Sequence, residues 1–213
     1  ERGPHYIYVF FFHCYGDPRD LPSFPTRRSS DLYFYTYDDQ REQLINQMRK
    51  NMSNALDEVM LKLPQDSPLK TRKDVLILAS IIEKEAGNDQ ERSKVAAVFI
   101  NRLKKGMKLR ADPTSAYAIT EGKYKLDRSL NRKDLRLKSP YNTYHIYGLP
   151  VGAISCPGRA SLEAVVAPAK TDALYFVVNG QGGHSFSKTL KEHNHHVQKF
   201  KARIRLQKLA QVK

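Results

Sequence analysis

The chain has 213 residues, 40% of them hydrophobic, enough to bury one sizeable core or two small ones. Lys and Arg outnumber Asp and Glu 36 to 22, and the formal charge of +14 predicts attraction to polyanions: nucleic acid, anionic lipid or the acidic polymers of a cell wall. Two cysteines, Cys14 and Cys156, exclude a disulfide framework, and no run approaches the roughly 18 apolar residues that a membrane span needs.

Residues 1–32 carry neither a helical nor a strand period. Pro4, Pro18, Pro22 and Pro25 surround an isolated aromatic patch from Tyr6 to His13. The stretch from Ser23 to Leu32 (SFPTRRSSDL) back-translates into a common sequencing adapter. Residues 1–32 are therefore expected to be a non-native, disordered segment, with the natural domain, 33–213, beginning near Tyr33. The charge argument is indifferent to this cut, because Arg2, Arg19, Arg27 and Arg28 balance Glu1, Asp17, Asp20 and Asp31.

From Asp39 to Leu63 the apolar residues Leu44, Met48, Met52, Ala55, Leu56, Val59 and Leu63 recur at three and four, which predicts an amphipathic helix ended by Pro64. A linker from Pro64 to Pro68 leads to a second helix, about Arg72 to Ala86, closed by Gly87 as C-cap. A third helix is expected from about Gln90 to Lys104, with Asp89 as N-cap, Val95, Val98, Phe99 and Leu103 on its core face, and Gly106 at its end.

Between Gly106 and Gly158 the sequence is interrupted by Pro113, Gly122, Pro140, Gly148, Pro150, Gly152 and Pro157, a pattern of long ordered loops that line sites. Ser161 to Val166 reads as a short helix and Ala173 to Val178 as a buried strand. Gly180 to Gly183 is a tight turn into an extended piece around Phe186, and a basic helix runs from about Leu190 to Val212. The fold class is α+β: helix-rich, with a few short strands and long ordered loops.

The second helix is apolar almost throughout, yet it ends in Glu83-Lys84-Glu85. Helical spacing sets Glu85 over Leu78, Ile81 and Ile82, whereas Glu83 lies over Leu76, Ala79 and Ser80. Glu85 is thus expected to be the more desolvated. A carboxyl in apolar surroundings keeps its proton toward neutral pH, which is what a general acid requires. The bland reading is that Glu85 rims a packed helix and pairs with Arg92; helical position alone leaves both open and favours the bland one.

A series of short words follows that helix in fixed order. They are Ser80-Ile81-Ile82-Glu83-Lys84-Glu85, Glu91-Arg92, Val98 to Leu103 (VFINRL), Gly106 to Leu109 (GMKL) and Asp112-Pro113-Thr114. Then come Pro140-Tyr141-Asn142-Thr143-Tyr144, Gly148-Leu149-Pro150, Pro157-Gly158, Leu174-Tyr175-Phe176-Val177, Gly182-Gly183-His184 and His193-Asn194. Together they make residues from about Tyr33 to Gln207 resemble the catalytic part of the endolytic murein transglycosylases, the YceG-like family.

The resemblance implies a catalytic acid on a helix, as in lysozyme, and assigns that role to Glu85, independently of the desolvation argument. It implies non-hydrolytic cleavage of the bond between N-acetylmuramic acid and N-acetylglucosamine, leaving 1,6-anhydro ends. The nucleophile then belongs to the substrate, so one carboxylate suffices where ordinary glycosidases position two. Tyr141, Asn142 and Tyr144 are expected to line the sugar pocket, with Asp112 and His184 also on the substrate and Glu83 and Glu91 supporting Glu85.

No cofactor is implied. A metal is not expected either, since His184, His193, His195 and His196 have only Glu192 as a neighbouring acidic ligand. The implied partners are peptidoglycan glycan strands and the peptidoglycan synthesis machinery, not nucleic acid. The parent protein is expected in the inner membrane, single-pass and facing the cell wall, through an anchor that, like a smaller peptidoglycan-binding subdomain, is not in this chain. Two departures mark the groove: Arg110 stands where Gln is often found, and Val151 follows Gly148-Leu149-Pro150 where a second proline is usual.

The competing reading is a non-catalytic basic module. From Lys188 onward the chain carries Lys188, Lys191, Lys199, Lys201, Arg203, Arg205, Lys208 and Lys213 against Glu192 alone, a pattern that binds phosphate polymers non-specifically. Against it, Val197, Phe200 and Ile204 predict that one face of this helix docks on the domain.

Overall fold

The computed structural model describes residues 40–211, with side chains through residue 207. The segment 1–32 and the boundary near Tyr33 lie outside the described residues.

Helix α1 (Arg41–Met60) buries Leu56 and Val59 and leaves most of its remaining surface in solvent. Helix α2 (Arg72–Glu85) starts at a reciprocal cap: the Thr71 hydroxyl accepts the Asp74 N–H at 3.1 Å, and the Asp74 carboxylate accepts the Thr71 N–H at 2.9 Å. Val75 and every residue from Ile77 to Ile82 are buried. A helix apolar all round must be covered on all sides, and α2 is the central element, touched by α1 and by three of the helices introduced below.

The exit from α2 departs from expectation. Ala86 is extended, with ψ 109°, and Gly87 has no positive φ, so no left-handed glycine closes the helix. The chain instead runs at once into the next start, where the Asn88 side chain accepts the Glu91 N–H at 3.0 Å and heads a 3-10 turn, Asp89–Glu91, that feeds α3 (Arg92–Lys104). Asn88 is therefore the cap in place of Asp89, whose carboxylate pairs with Arg92 at 2.8 Å. The far end of α3 is as expected: Gly106 at φ 63° lets Met107 N–H reach the Arg102 carbonyl (2.9 Å) and Gly106 N–H reach Leu103 (3.1 Å), a Schellman closure.

The region expected as loop contains two short helices, α4 (Asp112–Thr120) and α5 (Arg132–Leu135). Pro113, which reads as a turn former, sits instead in the first turn of α4, where its missing N–H costs nothing. Helix α6 (Arg159–Val166) packs on α1, α2 and α3. Strands β1 (Tyr175–Val178) and β2 (His184–Ser187) pair antiparallel with Phe176 opposite Phe186.

The expected buried strand is only half-buried, and Val178 is 46% exposed, because α3 and the C-terminal helix α7 (Leu190–Gln211) leave the end of β1 open. The docking face of α7 is the expected one, with Val197, Phe200 and Ile204 half-buried. The architecture is α+β, and no helix among the described residues is long and apolar enough to cross a membrane.

Candidate active site

Glu85 is the last residue of α2, seated behind the fully buried Leu78, Ile81 and Ile82. The residue keeps part of its surface, yet its carboxyl is strongly desolvated, and burial pushes its pKa up to about 8. The charge of Asp112 raises it further, while a hydrogen bond from the Asp112 backbone N–H and the charge of Arg102 pull it back. Glu85 thus meets the N-terminus of α4. The residue preceding that helix is Ala111, whose methyl caps nothing, so the first N–H of α4 is left for the glutamate.

Paired threonines hold the start of α4. The Thr143 hydroxyl accepts the Ala111 N–H at 2.9 Å and lies 2.7 Å from the Thr114 hydroxyl, which donates to the Ala111 carbonyl at 2.7 Å. Both threonines are fully buried. The residue after Thr143, Tyr144, donates its hydroxyl to the Asp112 carboxylate at 2.6 Å. Burial, then that bond and the charges of Asp112 and Glu85, raise the Tyr144 pKa well above the ordinary phenol value. Glu85, Asp112 and Tyr144, far apart in sequence, therefore form one cluster.

Arg102 completes it from α3. It is 8% exposed, its guanidinium donates to the carbonyls of Leu174 (2.6 Å) and Leu109, and it lies over the Tyr175 ring at 5.2 Å. Burial lowers its pKa, and the nearby Glu85 carboxylate opposes that. Arg102 and Tyr175 carry no site role in the sequence reading. The signal was available, since Arg102 falls three residues after Phe99 and seven after Val95, on the core stripe of α3, where an arginine needs a reason.

The remaining expected residues are placed elsewhere. Asn142 is fully buried and fully committed: Oδ1 accepts from Ser115 Oγ (2.8 Å) and Tyr144 N–H (3.1 Å), and Nδ2 donates to the carbonyls of Leu135 (3.2 Å) and Leu137 (2.8 Å). With every donor and acceptor used, it cannot read a sugar amide; it ties α4 and α5 to the 140s loop. Tyr141 packs on Tyr117, ring centroids 4.8 Å apart, and faces Gly152, so its ring belongs to the loop packing.

Glu83 is not surface charge. A single oxygen, Oε2, accepts from Arg92 (3.2 Å), Ser161 Oγ (2.6 Å) and Gly158 N–H (3.1 Å), fastening the start of α6 to α2. Arg92 is thus the partner of Glu83, and the bland pairing of Arg92 with Glu85 is overturned. Glu91 and His184 pair with each other: Oε1 takes the His184 backbone N–H (2.9 Å) and Oε2 meets Nδ1 (2.8 Å), with Phe176 and Phe186 against the ring. Among the described residues neither a hydrogen bond nor an ion pair joins this pair to Glu85, because the hairpin turn docks on the 88–91 segment, where Asn88 donates to the Gly182 carbonyl at 3.3 Å.

Residues 28–199 match the model of the YceG-like family. The chain is 51% identical over 126 residues to the endolytic murein transglycosylase of Bacillus subtilis (strain 168), a match covering 59% of this chain and 34% of that protein. It is 29% identical over 195 residues to the endolytic murein transglycosylase of Streptococcus pneumoniae serotype 2, covering 84% of this chain and 35% of the relative. The chain therefore spans about a third of the length of these curated relatives. Among solved structures, a yceG-like protein of Listeria monocytogenes superposes with TM-score 0.64 at 40% identity, over 77% of this chain and 53% of that one.

Proposed function

The chain belongs to the YceG-like family, and we propose that it is the catalytic part of an endolytic murein transglycosylase that cuts peptidoglycan glycan strands. The observation that carries this reading is the Glu85 carboxyl: desolvated, held at a pKa of about 8, and met by the first N–H of α4.

At neutral pH such a carboxyl is protonated. It gives its proton to the oxygen linking C1 of N-acetylmuramic acid to N-acetylglucosamine, and the C1–O bond breaks as the muramyl cation develops. The glutamate is then an anion facing the α4 N-terminus with Arg102 nearby, both of which favour the charge it has acquired. It next takes the proton of the muramyl C6 hydroxyl while that oxygen attacks C1. A 1,6-anhydro end and a free N-acetylglucosamine end result, and no water is consumed. Burial keeps Glu85 protonated between turnovers, helped by the charge of Asp112, which Tyr144 fixes and whose exposed side chain is free to touch the sugar.

This reading needs neither metal nor cofactor. It places the parent protein in the inner membrane, its catalytic part facing the wall, in contact with the machinery that makes the strands. The basic-module alternative is not favoured, since α7 spends one face on the hairpin.

The test is digestion of purified glycan strands with wild-type and Glu85→Gln protein, followed by mass analysis. Anhydro-muramyl ends from the wild type only are expected. Hydrolysed reducing ends, or ends of either kind from the glutamine variant, refute the assignment.

A further inference from the structure

Two non-glycine residues of the described chain have positive φ, Glu121 at 51° and Arg110 at 48°. Glu121 needs no special account, because it is the left-handed C-cap of α4 and returns its N–H to the Tyr117 carbonyl at 2.7 Å. Arg110 closes no helix. It stands between Leu109 and Ala111, which are 0% and 1% exposed, and its backbone is pinned by its own N–H on the Thr143 carbonyl (3.2 Å) and by Ala111 N–H on the Thr143 hydroxyl (2.9 Å).

The residues on either side are buried while Arg110 between them is exposed, and its backbone holds a left-handed conformation. Glycine meets that geometry without the Cβ penalty an arginine incurs. The arginine side chain is exposed and, among the described residues, makes neither a hydrogen bond nor an ion pair. Lys108, two residues earlier, is a contrast, since its ammonium donates to the Tyr144 carbonyl at 3.3 Å and lies over the Tyr147 ring at 4.8 Å. Strain retained under a cation with no partner among the described residues, two residues from Asp112 and bonded through its backbone to the neighbour of Tyr144, points to a group kept for a ligand.

We propose that Arg110 is a specificity-determining residue whose guanidinium holds a carboxylate on the muramyl substituent of the glycan strand. The inference rests on the reading of the Glu85 site as a glycan-cleaving centre. In a strand of N-acetylated sugars the hydroxyl and amide groups are neutral. The ionised groups hang from the muramyl lactyl ether, either as its own free carboxylate or as carboxylates of the peptide attached to it. A planar, always-charged guanidinium takes either in a two-pronged contact.

The experiment measures steady-state cleavage by the full chain on three substrates: peptide-bearing strands, peptide-stripped strands with a free lactyl carboxylate, and stripped strands whose lactyl carboxylate has been converted to the amide. For the wild type KM is expected to rise about three- to tenfold wherever the held carboxylate is lost, with kcat nearly unchanged. Arg110→Gln should show that raised KM on the carboxylate strands and be indifferent to amidation. Dependence on Arg110 confined to peptide-bearing strands assigns the carboxylate to the peptide, and dependence on stripped strands assigns it to the lactyl group.

Arg110→Gly should melt at a higher temperature than the parent while showing the raised KM of the glutamine variant. A glutamine variant with wild-type KM on all three substrates overturns the proposal, as does a glycine variant that melts lower. An inactive wild type overturns the glycan-cleaving reading and this inference with it, whereas an active wild type with no Arg110 effect overturns this inference alone.

Discussion

The backbone N–H of Asp112 is given to the Glu85 carboxyl while the side chain of the same residue takes the Tyr144 hydroxyl at 2.6 Å. One residue therefore acts on the acid in two opposed senses. Its N–H favours the glutamate anion and its charge disfavours it, with burial the larger influence on the side of the proton.

Asp112→Asn separates these effects, because asparagine keeps the backbone donor and an acceptor for Tyr144 and loses only the charge. Glu85 must be protonated to act, so kcat/KM should fall as pH rises past its pKa of about 8. Without the Asp112 charge that alkaline limb should move to lower pH, by roughly half a unit to one unit. A pH–rate profile of both proteins reads the shift directly; an unmoved limb would show that Glu85 does not feel the aspartate.

Glu85 also makes stability depend on pH. In the unfolded chain it titrates near 4.5, in the folded protein near 8, so between those values the folded state binds the extra proton and stability falls as pH rises. The slope reaches about 1.4 kcal/mol per pH unit for this one group. Glu85→Gln has no such dependence. It should be inactive yet more stable than the parent, with a margin that widens from pH 5 to pH 8 in thermal melts; parallel curves would mean that the carboxyl is better solvated than its surroundings indicate.

Glu83→Gln should behave in the opposite way. Three donors converge on Oε2, and glutamine keeps an acceptor oxygen but not the charge, so a loss of about 1–2 kcal/mol is expected from weakened charge-assisted bonds. Much of the glycan cleavage should survive, because none of these bonds reaches Glu85. Urea titration combined with the strand assay distinguishes the two; abolished cleavage in a well-folded Glu83→Gln protein would move the acid to Glu83.

What the sequence made legible follows from which interactions are local. The apolar run of α2 and the placement of Glu85 behind Leu78, Ile81 and Ile82 are matters of helical spacing, and the structure has them as expected. Two of the three partners of Glu83 lie at Gly158 and Ser161, 75 and 78 residues away, and no periodicity reports such a distance. Helix α4 was hidden because proline in a first turn and proline in a β-turn look alike without a partner to dock on. Asn142 misleads for the same reason: an amide beside two tyrosines suits a sugar pocket until Ser115, Leu135 and Leu137 are seen to use it up.

Gly183 offers the sharpest test of the packing behind the site. A Cβ there would lie 2.7 Å from Glu91 Oε1, the end of a side chain that would ordinarily swing aside. This carboxylate is not free to swing, because its two oxygens are bound to the backbone N–H and Nδ1 of His184. Gly183→Ala should therefore lose those bonds rather than suffer a simple clash, at a cost of about 1–3 kcal/mol. In a Glu91→Ala background the same methyl finds room, so a double-mutant cycle should show a coupling of about 1–2 kcal/mol. Acid should erase it: although burial opposes, the His184 donors hold the Glu91 pKa below 4.5, so the pair contributes above that value and is lost as pH falls through the lowered pKa. Denaturation midpoints of the four proteins at pH 7 and pH 3 measure both effects, and additive penalties at pH 7 would mean that Glu91 turns away from His184 at no cost.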